Sequence, residues 1–101
     1  MGQWVKVAKK SEIPADTGKL VEANGKQIAL FNVNGKICAI FQTCPHQGGP
    51  LDEGGLDGTV VTCPWHGWQF DVTSGECTFN PSIKQPTFKV KEEGEDISVE
   101  A

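Results

Sequence analysis

An all-β domain is what this sequence predicts, on three observations. Two-residue turn signals recur about ten residues apart, as Asn24-Gly25 and Asn34-Gly35, with Asp57-Gly58 and Ser74-Gly75 further on. The segments between them are short, and several alternate apolar with polar side chains, the period of a half-buried strand. No long segment reads as a helix, and twelve Gly with six Pro suit a chain of many turns.

The elements follow in order. "QWVKVA" (3–8) reads as a first strand. "KLVEA" (19–23) and "KQIALFNV" (26–33) flank Asn24-Gly25, and "KICAIF" (36–41) follows Asn34-Gly35, which makes a three-strand meander. Ile28, Leu30, Ile37 and Ile40 supply core from it, with Phe31 and Phe41 as further candidates. A short helical turn is expected near Pro50 to Glu53. "GTVVTC" (58–63) and "GWQFDV" (67–72) are the next strands, and Ser74-Gly75 turns the chain again. "TFKVK" (87–91) and "DISVE" (96–100) form the last pair around the turn "EEGE" (92–95). In that pair Phe88, Val90, Ile97 and Val99 alternate with polar residues, so each strand has one buried and one wet face.

Composition narrows the function. A chain of 101 residues reads as one domain, 1–101, with a modest core to which a bound metal could add stability. A net charge of −4, with no arginine, argues against nucleic acid as a partner, because phosphate binding needs concentrated positive charge. No apolar run approaches the roughly 20 residues of a membrane span. The start, "MGQWVKVAKKSEIPAD", lacks the apolar stretch of a signal peptide. A soluble, cytoplasmic protein without membrane contact is therefore expected. In that compartment thiols stay reduced, so closely spaced Cys and His point to a metal site rather than to disulfides.

Both histidines of the chain sit beside cysteines, as Cys44-Pro45-His46 and Cys63-Pro64-Trp65-His66. Thiolate and imidazole are ligands for zinc and for iron–sulfur clusters alike. A zinc ion closed by two Cys and two His is one solution, and would make the chain a zinc-stabilised interaction module. Cys44 and His46, one residue apart, reach a single ion only with strain. They suit two metals a few ångström apart better, as in a binuclear centre.

The two segments C-P-H (44–46) and C-P-W-H-G (63–67) resemble the halves of the Rieske [2Fe–2S] motif, C-x-H…C-x-x-H, in which two His replace two Cys on one iron. The resemblance extends through "WVKVA", "HGWQFDVTSG" (66–75) and a Pro-containing loop, "FNPSIKQP" (79–86), that in the family covers the cluster. It implies a small antiparallel β-sandwich or barrel-like Rieske domain with a two-loop cluster-binding subdomain at about 43–82. It implies that Cys44 and Cys63 hold the inner iron of one [2Fe–2S] cluster, and that His46 and His66 hold the outer iron nearer solvent. It implies a monomeric ferredoxin, a one-electron carrier and not an enzyme. Its partners would be a flavin-dependent NAD(P)H reductase and a terminal oxygenase of aromatic-hydrocarbon catabolism. The small subunit of an NAD(P)H nitrite reductase is the alternative within the same resemblance.

Several neighbours acquire expected roles. Gly48, Gly49 and Gly67 would let backbone approach the cluster, Pro45 and Pro64 would stiffen the loops, and Trp65 and Trp68 would pack around His66 and exclude solvent. Asp52, Glu53 and Asp57 form either a solvated loop or a docking patch. Cys38 reads as a small core residue, and its pairing with Cys77 is left open by the sequence. No third histidine remains for the 2-His-1-carboxylate iron of an oxygenase. High-potential members of the family carry loop cysteines, a Ser after His-Gly and a Tyr near the cluster. Here Gly49, Trp65 and Trp68 stand in those places and there is no tyrosine, which implies a potential at the low end of the range, about −150 mV.

Overall fold

The computed structural model describes residues 3–42, 50–65 and 67–101. In chain order the strands are β1 (Trp4–Lys9), β2 (Gly18–Ala23), β3 (Lys26–Val33), β4 (Lys36–Phe41), β5 (Gly55–Asp57) and β6 (Val60–Thr62). They continue as β7 (Gln69–Asp71), β8 (Glu76–Cys77), β9 (Asn80–Lys84), β10 (Thr87–Phe88), β11 (Val90–Glu93) and β12 (Asp96–Glu100). They form three antiparallel sheets, ordered β1-β12-β11, β10-β4-β3-β2 and β5-β6-β7-β8-β9. Single 3-10 turns cover Lys10–Glu12 and Leu51–Glu53, the second where the sequence predicts one.

The β2–β3–β4 meander forms where the turn chemistry puts it. Asn24 and Asn34 both have φ of 53°, and Gly25 and Gly35 follow at 77° and 93°. Two successive left-handed residues make the type I′ turn that matches the twist of a hairpin. The registers that result, Ala23 opposite Lys26 and Val33 opposite Lys36, leave two-residue loops.

This meander is the middle layer of the molecule. Side chains alternate across a strand, so Ile28, Leu30, Ile37 and Ala39 face one core, with Val21, Ile97 and Val99. Ala29, Phe31, Cys38 and Ile40 face the other, with Leu51, Val61, Phe70 and Cys77. Burial on both faces is why "IALF" and "ICAI" read as continuous apolar runs. A fully buried Phe31 or Phe70 contributes about 2–3 kcal/mol each. Phe41, at the last position of β4, is only half-buried, unlike Phe31.

Three expectations are corrected. "TFKVK" is two strands. Thr87 and Phe88 pair with Ile40 and Ala39 in the middle sheet, whereas Val90 onward pairs with Val99 to Asp96 in the first. Alternation runs unbroken through Lys89, so the local pattern carries no sign of the change of partner. "FNPSIKQP" contains a strand, β9, on the edge of the third sheet, where a proline interrupts no central ladder. The turn predicted over 92–95 is tighter, at Gly94 and Glu95, since Glu92 and Glu93 belong to β11. The short strands β5 and β8, three and two residues long, have too few side chains to show a period.

Candidate metal centre

Of the four predicted ligands, Cys63 is the one the structure describes; Cys44, His46 and His66 lie outside the described residues, as do Pro45, Gly48 and Gly49. Cys63 follows β6 and is 1% exposed, in the core that also holds Leu51, Val61 and Phe70. Its N–H donates to the Trp68 carbonyl at 2.7 Å, which closes the hairpin tip of residues 63–68. Gly67 in that tip has φ of 74°, a conformation that disfavours any side chain. Below the tip, Thr62 pairs with Gln69, and Gln69 Nε2 donates to Thr62 Oγ1 at 3.2 Å.

The first loop, 43–49, springs from two anchored ends. Leu51 is fully buried and its N–H donates to the Gln42 carbonyl at 3.1 Å. Asp52 N–H donates to Gln42 Oε1 at 3.1 Å, and Gln42 Nε2 donates in return to Asp52 Oδ1. Asp52 is thus half-buried and structural, not part of a free acidic patch; Glu53 and Asp57 are exposed. The two loop bases touch directly through Gly54. A Cβ there would lie 2.2 Å from the Thr62 carbonyl oxygen, one residue before Cys63.

The aromatic residues divide differently from the expectation. Trp68 is half-buried, edge-on to Phe79 at 5.0 Å and tilted against Phe70 at 6.4 Å, so it does pack. Trp65 is 49% exposed and Phe79 61% exposed, so they offer apolar surface instead of excluding solvent from beneath it. Pattern reading passed over Phe79 because it lies in a polar, Pro-containing stretch.

Cys38 and Cys77 are both buried and form no disulfide. Burial pushes the Cys38 thiol pKa up; the Lys36 ammonium opposes this, and the Asp71 and Glu92 carboxylates add to it. Cys38 is therefore a packed, protonated core residue. Among the described residues no three His, Cys, Asp or Glu side chains gather as a second metal site.

The donor set suits an iron–sulfur centre. Cys63, 1% exposed in an apolar core, can offer its thiolate to a metal away from water, and the sequence supplies Cys44, His46 and His66 as the further donors of the predicted set. The Rieske [2Fe-2S] domain matches residues 3–92. The chain belongs to the Rieske family. The Rieske cofactor, one [2Fe–2S] cluster, comes with that membership. Among Rieske relatives, the chain is 36% identical over 89 residues to the ferredoxin component of naphthalene 1,2-dioxygenase/salicylate 5-hydroxylase systems from Ralstonia sp.. That alignment covers 87% of this chain and 86% of the relative. A chain in the complex of reduced oxygenase and oxidized ferredoxin in carbazole 1,9a-dioxygenase superposes with a TM-score of 0.87 at 31% identity, covering 96% of this chain and 92% of that one. The putative NADH-dependent nitrite reductase small subunit from Mycobacterium tuberculosis superposes at 0.91 over 100% and 96% of the two chains, but at 21% identity, which shows a shared fold alone. Among the described residues no helix is long and apolar enough to cross a membrane.

Proposed function

We propose that this Rieske protein is a one-electron carrier, taking electrons from a flavin-dependent NAD(P)H reductase and delivering them to a terminal, aromatic-ring oxygenase. The observation that carries the reading is near end-to-end similarity to ferredoxin components of oxygenase systems, joined to a histidine count that leaves no catalytic iron site. Cys44 and Cys63 would hold one iron, His46 and His66 the other. When bound, the cluster supplies one reversible electron at the low end of the Rieske potential range, about −150 mV. Cys63 seals the thiolate side in the core, and Trp68 closes the hairpin over it. Trp65 and Phe79 present an apolar surface beside the hairpin that carries His66, where a partner protein can exclude water during transfer.

Redox-monitored EPR of the purified protein tests the reading. A rhombic signal of an asymmetrically ligated two-iron cluster, with one iron and one sulfide counted per half cluster, supports it. One zinc with no acid-labile sulfide refutes it, and a midpoint well above zero refutes the low potential. Gel filtration with candidate partners distinguishes a free monomeric carrier from a tightly held subunit.

A further inference from the structure

We propose that Gln42 and Asp52 are positioning residues for the first ligand loop. Their reciprocal hydrogen bonds set the separation of the loop's two ends and thereby hold Cys44 and His46 where the cluster needs them. The inference rests on the Rieske reading above.

Gln42 is the last described residue before the loop and is 5% exposed. A primary amide buried to that extent is costly unless both of its ends are bonded, and an apolar side chain would otherwise serve better there. Both ends are bonded, and both to the same residue: the amide oxygen accepts from Asp52 N–H, and the amide nitrogen donates to the Asp52 carboxylate. The Gln42 backbone repeats the arrangement. Its N–H donates to the Gln27 carbonyl in β3 at 3.1 Å, and its carbonyl accepts from Leu51 N–H at 3.1 Å. One residue therefore ties the loop's entry to the middle sheet and to the loop's exit.

The exit end is held from other sides as well. Leu51 is sunk in the core between the middle and third sheets. Gly18 lets β2 abut the turn so closely that a Cβ there would lie 2.7 Å from the Asp52 carbonyl oxygen. The second ligand loop needs no comparable device, because its hairpin tip is short and closed by the Cys63–Trp68 backbone bond. The first spans 43–49 between strands that do not pair with each other, so among the described residues its neck is held by a single backbone bond, Leu51 N–H to the Gln42 carbonyl, and by the Gln42–Asp52 side-chain bonds. Groups that orient ligands in this way typically change metal affinity by about 10–100-fold when removed.

The test uses the full, cluster-loaded chain. Gln42→Leu removes both side-chain bonds of the clamp, Asp52→Ala removes the one to the carboxylate and leaves the Gln42 amide nitrogen without its acceptor, and Asp52→Asn retains that acceptor. Val99→Ala, in the core on the other side of the middle sheet, weakens the fold without touching the loop. The readouts are EPR g-values and the rate at which visible absorption bleaches with a ferrous chelator, at a temperature where far-UV CD shows the fold intact. The expected result is bleaching about 10–100-fold faster, with shifted g-values, in Asp52→Ala and Gln42→Leu. Asp52→Asn should restore wild-type behaviour, and Val99→Ala should lower Tm with unshifted g-values. Wild-type bleaching and g-values in the two clamp variants overturn the proposal. So does equal bleaching in Val99→Ala at an equal loss of Tm, which would make the clamp a staple of the fold only. If Gln42→Leu does not fold, Asp52→Ala at its half-buried position decides the matter alone. Wild-type protein that takes up no iron and sulfide is a different failure, that of the family reading.

Discussion

Gly54→Ala should disturb the centre without altering any ligand. Gly54 has φ of −74° and ψ of 155°, which alanine adopts freely, so the substitution carries no backbone strain. Its cost is steric. The added Cβ would stand 2.2 Å from the Thr62 carbonyl oxygen and 3.0 Å from Val61 Cγ2. Ordinary contact needs about 3.5 Å, so the bases of the two ligand loops must part by roughly 1 Å. The obstacle is backbone, with no flexible end to swing away, which puts the penalty at the upper part of the overpacking range, about 3 kcal/mol. For a domain of this size that corresponds to a fall in Tm of roughly 12–24 °C. Gly55→Ala is the internal control, since a Cβ there meets nothing within 4 Å. Thermal melts of the two holoproteins, with visible CD as a reporter of the cluster environment, make the measurement. Gly54→Ala melting within a degree or two of Gly55→Ala, with the same visible CD, would refute the claim that this contact spaces the loops.

Three further outcomes are expected. Gly75→Ala should destabilise by at least 2 kcal/mol in urea titration, because Gly75 has φ of 82° and a Cβ there would lie 2.1 Å from the Gln85 carbonyl oxygen. Glu92 links β11 to Lys10 at 2.9 Å and accepts from Ile37 N–H at 3.3 Å; burial pushes its pKa up, but the bonds from Lys10 and Ile37 outweigh this and leave it below the ordinary 4.5. Its stabilisation is then complete above pH 4.5 and lost as pH falls through the lowered pKa, so Glu92→Gln should flatten the acid limb of a stability–pH curve by on the order of 0.5 kcal/mol. Phe79→Ala and Trp65→Ala, at exposed positions, should leave iron content and midpoint potential unchanged while slowing transfer to the oxygenase several-fold in stopped flow, with little dependence on salt. Unchanged transfer rates in both variants would remove them from the docking surface.

Much of the middle sheet is written locally. Asn24-Gly25 and Asn34-Gly35 specify their own turns through left-handed backbone, and the strands that follow them have the expected bounds, 26–33 and 36–41. The third sheet was harder to read because its strands are two to five residues long and held by partners, not by propensity. Phe88 and Val90 show the same limit, since one alternating run serves two sheets. The proposed ligands were legible for a different reason: metal chemistry restricts both residue type and spacing, so Cys44, His46, Cys63 and His66 stand out as candidates in the chain whatever the fold around them.

By itself, then, the sequence determined the hairpins of the middle sheet and the Rieske pattern of two Cys and two His on which the family match rests. Both follow from constraints that act over a few residues, namely left-handed backbone at Asn-Gly and the ligand demands of iron. The tertiary structure alone decided that β3 and β4 are buried on both faces, that Gly54 sets one loop base against the other, and that Gln42 meets Asp52 across the neck of the first loop. Each of these depends on two separate segments arriving at one place. A glycine at position 54 or a glutamine at position 42 carries no mark of what it will touch until the sheets have packed.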